Sequence, residues 1–163
     1  MTKFLLILHV LAAVLTVGPV TVAASMFPAS LRGALGSPGD AEALATLRTL
    51  HRICRVYAGI GVAVPLLGFA TASSLGVLGS PWLIVSIVLT AAAAAVLAVF
   101  ILPAQETALE AVRGSGTPVA PRSASQSASQ LAMLTGVFNL LWATVTVLMI
   151  LRPGSTTGST TGS

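Results

Sequence analysis

The sequence predicts an all-α fold, a four-helix transmembrane bundle, on three observations. Four apolar segments, residues 4–27, 53–72, 81–102 and 131–151, each hold about 20 residues or more, the length that crosses a bilayer core as a helix. Apart from Arg55, no Lys, Arg, Asp or Glu falls inside them. Composition agrees: 55% of residues are hydrophobic and 7% charged, where soluble domains carry about 25% charged. The mean hydropathy of +0.97 points the same way. One membrane domain, residues 1–152, is expected, followed by a disordered Gly-Ser-Thr tail, 153–163.

The first segment imitates a secretory signal, with Lys3, an apolar run and Val22-Ala23-Ala24. It is longer than a signal core, three further spans follow, and His9 lies inside it, so a retained helix is expected. After Phe27, Pro28 is expected to end it. Ser37-Pro38-Gly39-Asp40 is turn chemistry, and Asp40 is a good N-cap with Glu42 placed for the helix dipole. From Ala41 a helix with a partial apolar face, Leu44, Leu47 and Leu50, is expected to run unbroken into span two, with a kink at Pro65. That helix extends into the cytoplasm by about three turns. The uncharged connection 73–80 makes spans two and three antiparallel neighbours, with Trp82 at the interface. Span three is alanine-rich over Ala91 to Ala95, which lets a neighbour approach closely. Gly114–Gln130, with Gly-Ser-Gly and a doubled Ser-Ala-Ser-Gln, reads as a flexible cytoplasmic linker.

Charge orients the bundle. Arg32, Arg48, Arg52, Arg55, Arg113 and Arg122 share one side; Lys3 and Arg152 hold the other. The first set marks the cytoplasm, which puts both termini outside. The same arginines account for a pI of 10.7. They form no basic stripe and no aromatic platform, so nucleic acid is not the partner. The partners expected are the lipid bilayer and another membrane protein or a second copy, in the cell membrane as a multi-pass protein.

Polar groups inside lipid are costly and turn toward the bundle interior. In span four Thr135, Asn139, Trp142, Thr146 and Met149 recur at spacings of 4, 3, 4 and 3, a single seam. In span one His9, Ala13, Thr16, Val20 and Ala23 follow a similar spacing. The two seams suit each other or a shared ligand; plain helix–helix hydrogen bonding explains them too. His9 is the sharpest single feature, about 7 Å inside the outer boundary. Neutral imidazole ligates haem iron or copper. Met149 reaches nearly the same depth, and His/Met is a known axial pair. Asn139 and Trp142 complete the candidate cofactor set, haem b the candidate cofactor and His9 the candidate metal ligand. A packed His9 donating to a carbonyl is the competing reading. At the cytoplasmic end Arg48, His51, Arg52 and Arg55 form a cationic group suited to a lipid headgroup or other anion.

Several classes are disfavoured. The spans hold no carboxylate for a proton relay. The single cysteine, Cys54, allows no internal disulfide. There is no phosphate-binding glycine loop and no nucleophile elbow, and no pair of broken spans that would mark a transporter.

Lys3–Val14, Gly18–Pro28, Leu50–Tyr57 and Thr135–Trp142 resemble a family of small bacterial integral membrane proteins known by a domain-of-unknown-function label and common in actinobacteria. That family is distantly similar to four-helix proteins of the copper-resistance D type and to HemJ-type protoporphyrinogen oxidases. In the latter a histidine early in the first helix is linked to haem, and His9 matches it. Their wider charged motif is not matched here, so the resemblance implies the fold and a haem ligand, not the oxidase reaction. Two functions follow: a haem-binding or redox-associated membrane protein acting through His9, or a non-enzymatic accessory or assembly subunit of a larger membrane complex.

Overall fold

The computed structural model describes residues 2–114 and 121–153. The described secondary structure is helical: α1 (Thr2–Gly36), α2 (Ala41–Ile60), α3 (Ala63–Leu75), α4 (Pro81–Ala95), a π-helical segment (Val96–Ile101), α5 (Leu102–Gly114) and α6 (Pro121–Leu151). End to end, α2 with α3 makes one rod and α4, the π segment and α5 another. Four rods are therefore long and apolar enough to cross a membrane. In their apolar windows only 11–22% of residues are buried against protein, so most side chains there face outward.

Three expectations about element boundaries change. α1 does not stop at Pro28. It runs through both Pro19 and Pro28 to Gly36. A proline inside a helix costs about 3 kcal/mol. Continuing the helix buries Leu31 (1% exposed) and Ala34 (3%) beside Phe27 (0%), and each fully buried large apolar side chain returns about 1.5–3 kcal/mol. The extra turns are therefore favoured. The second rod runs unbroken from Ala41 into span two as expected, but its irregularity is an interruption at Gly61–Val62, one turn before the kink expected at Pro65. Pro65 has no N–H to offer the Gly61 carbonyl, which accepts from Val64 instead at 3.0 Å. Finally, α6 begins at Pro121, inside the stretch read as linker. Ala128 (0%) and Leu131 (3%) pack in the core, and that burial holds the extension. Of the rest of the linker, residues 115–120 lie outside the described residues, as does the tail from 154.

The caps follow the sequence. Asp40 accepts from the Glu42 N–H at 2.9 Å and the Ala43 N–H at 3.1 Å. Gly76, at φ +69°, closes α3 in the left-handed region glycine occupies freely, and Pro81 opens α4.

α1 is the hub, packing on α2, α3 and α6; α6 packs in turn on α4, and α2 meets α5 at the arginine-rich end. There lies the largest core, formed by Ala23, Ala24, Phe27, Leu31, Leu47, Leu50, Cys54, Leu109 and Leu131 among others. The antiparallel neighbours expected from the 73–80 turn touch only near their ends. Ala72 meets Trp82 and Leu83 beside the turn, and α2 meets α5 at the far end. Between those contacts α3 and α4 are not a packed pair.

Candidate functional site

A cavity of about 140 Å³ occupies that gap, lined from every rod: Thr16, Val17 and Val20 of α1, Tyr57 to Pro65 across the α2–α3 break, Thr90 and Ala94 of α4, Leu97, and Phe138 and Trp142 of α6. It is half open, and α3 and α4, which both line it, are not a packed pair.

Both helical irregularities meet here. At the break, the Gly61 N–H donates to Tyr57 O at 2.8 Å and the Val62 N–H to Gly59 O at 3.3 Å. A Cβ on Gly61 would stand 3.0 Å from the Tyr57 carbonyl oxygen and 3.3 Å from that of Ala58, which is why glycine holds the position. On the opposite rod the π segment begins beside Leu97, and the Leu102 N–H reaches back five residues to the Leu97 carbonyl. Pro103, lacking an N–H, loosens the ladder just beyond it. Pro65 and Pro103 each stand just beyond the irregularity in their own rod.

The wall is apolar with a few polar tips. Thr16 and Thr90 satisfy their hydroxyls on their own helices, at Ala12 O (2.6 Å) and Ser86 O (2.7 Å). Phe138 and Trp142 stack edge to face, centroids 6.4 Å apart at 70°. The Tyr57 hydroxyl and the Trp142 indole N–H, both half-buried, make no hydrogen bond among the described residues.

His9 lies elsewhere, toward the opposite end of the bundle from the arginines. Its Nδ1 sits 3.0 Å from Val64 O. A carbonyl only accepts, so Nδ1 carries the proton donated to it. The ring rests on Gly68, where a Cβ would come within 2.9 Å of His9 Cε1. His9 and Met149 do line one space, as their matched depths suggested, together with Thr71, Trp82 and Arg152. That space is about 40 Å³, room for one or two waters. Of the four candidate cofactor residues, His9 and Met149 share the small space, Trp142 lines the large cavity, and Asn139 belongs to the α1–α6 seam. Among the described residues no three of His, Cys, Asp and Glu converge on a point.

The α1 seam keeps the register read, and the α6 seam departs from it at Thr146. α1 presents Thr16, Val20 and Ala23 inward as expected. On α6 the buried stripe is Ala128, Leu131, Thr135, Phe138 and Val145. Thr146 faces outward with its hydroxyl on Trp142 O at 2.9 Å. A hydroxyl that bonds its own helix needs no inward face. Thr135 donates to Ala24 O at 3.4 Å and Asn139 Nδ2 to Ser25 Oγ at 3.3 Å, while Asn139 Oδ1 is buried without a partner.

At the cationic end Arg48, Arg52 and Arg55 are exposed, but His51 is half-buried and turned toward α5. Its Nδ1–H donates to Gln105 Oε1 at 3.1 Å, and Gln105 Nε2 donates to Cys54 Sγ at 3.7 Å. Gln105 is fully buried. The polar residues around it, Glu106, Glu110 and Arg113, are exposed, and its partner on α2 is invisible from α5 alone. Gln105→Ala is expected to cost about 1–3 kcal/mol through the unpaired His51 nitrogen, seen as a lower unfolding temperature in detergent. Cys54 is buried in the same place, so a maleimide added to the folded protein should leave it unmodified and react once the protein is unfolded.

Residues 3–153 match the family model described as predicted integral membrane protein (DUF2269), and the chain belongs to that family. No curated protein and no solved structure matches it.

Proposed function

We propose, from the premise of a four-span member of that family, that the protein is a membrane-embedded binding protein whose cavity takes a small apolar molecule from the bilayer. The observation that carries this is the coincidence of the Gly61–Val62 break, the π segment and the α3–α4 gap at one 140 Å³ space. Helical irregularities cost backbone hydrogen bonds in lipid, where no water replaces them, and recur where ligands sit. A cavity of about 150 Å³ lined by apolar side chains holds a benzene-sized ring. Thermal unfolding in mild detergent with decylbenzene tests it. The midpoint is expected to rise for the native chain and not for Ala94→Leu, which puts a larger side chain at the cavity wall. Equal shifts in both would overturn the reading.

The haem reading of His9 needs the helices around a 40 Å³ space to part. A reduced-minus-oxidised spectrum of the purified protein beside His9→Ala decides it. No sharp b-type band is expected; a band lost in the variant would displace the cavity reading. The accessory-subunit reading draws on α4, whose Ala91, Ala92, Ala94 and Ala95 are exposed and would let another helix approach closely.

A further inference from the structure

We infer that the molecule taken up is of the quinone class: one six-membered ring bearing carbonyl oxygens, with an apolar tail that stays in the bilayer. This rests on the cavity reading above and adds its chemistry. The space is the size of one ring, not of a fused system. Two of its lining residues carry a hydrogen-bond donor with no acceptor among the described residues, the Tyr57 hydroxyl and the Trp142 indole N–H. Tyr57 comes from the second rod and Trp142 from α6.

A donor inside a bilayer that meets neither water nor an acceptor is costly. The indole N–H can only donate. A ligand that satisfies it must therefore carry an acceptor, which a hydrocarbon or the body of an acyl chain does not. A ring carbonyl is an acceptor without a proton to place. Aromatic faces from Phe138 and Trp142 suit a flat ring. The cavity is half open, and Val62 and Ala94 of its lining are exposed, which gives the tail a way out into lipid.

The test uses the full chain in nanodiscs. With Trp82→Phe, Trp142 is the only tryptophan left of the two. Decylbenzoquinone is expected to quench its fluorescence saturably. In the same background Tyr57→Phe should weaken binding about five- to tenfold, the worth of one hydrogen bond, and Ala94→Leu should abolish saturation. Trp82 packs against Arg152, so its replacement could loosen the fold. Thermal shifts of the native chain with decylbenzoquinone and decylbenzene give a second readout without it.

A larger shift for the quinone supports the inference. Equal shifts would overturn the quinone class and leave the cavity reading standing. No shift with either would overturn both. Acyl-brominated lipid that quenches Trp142, with relief in Ala94→Leu, would assign the space to a lipid tail and overturn the inference.

Discussion

Phe27→Ala is expected to destabilise the protein by about 3–5 kcal/mol, the cost of emptying a well-packed aromatic site. Phe27 is 0% exposed and sits in the core that joins α1 to α2, α5 and α6, with Leu31, Leu47 and Leu131. Phe100, on the π segment, is 54% exposed and serves as the control. Phe100→Ala exchanges one lipid-facing side chain for lipid and leaves no cavity, so its effect should be small. Reversible unfolding in mixed detergent micelles separates the two. Equal losses would mean that the arginine-rich end does not hold the bundle together.

Gly68→Leu is the second large effect, about 2–4 kcal/mol. Even a Cβ at this position would lie 2.9 Å from the His9 ring, closer than non-bonded carbons approach. The ring cannot stay over Gly68, and its hydrogen bond to Val64 O goes with it. Overpacking costs about 1–3 kcal/mol and the lost hydrogen bond about 1 kcal/mol. Compensation should be specific: His9→Ala removes the ring and should recover part of the loss in the double variant. A double variant no more stable than Gly68→Leu alone would mean that His9 is not what fills the notch. The packed-histidine reading of His9 thus has a direct mutational signature of its own, separate from any spectrum.

Much of the architecture was legible because lipid imposes one rule, a run of about 20 apolar residues. The Asp40 cap and the Leu47–Leu50 face were legible for local reasons: the cap needs only its own turn, and the face only helical spacing. The helix through Pro28 was not, because what holds it is a set of partners on α2, α5 and α6. The early start of α6 was missed for the same reason. Ser-Ala-Ser-Gln looks like linker until Ala128 is seen at 0% exposure. Of the candidate site residues, His9 and Met149 were correctly paired in depth, since depth follows from rise per residue. The cavity itself left a fainter trace. Gly61 and Pro65 were in view, four residues apart, but their meaning depends on Pro103 and Leu97 in another rod.

The packing order of the rods bears on how the protein is made. α4 leans chiefly on α6, the last span in the chain, while α1 waits for α6 as well. During synthesis the third rod must therefore reside in the bilayer before its main partner exists. Its apolar window has a mean hydropathy of 2.8, against 2.3, 1.7 and 2.0 for the others. That puts the greasiest segment in the rod whose main partner is made after it. The second rod, at 1.7 and carrying the arginines, has α1 to lean on from the start. Membrane insertion and later association are separable steps, and this chain assigns its hydrophobicity accordingly. A nascent chain arrested before Leu131 would be anchored yet unassembled, with α1 and α4 both presenting to lipid, or to quality-control proteases, the faces meant for the final helix.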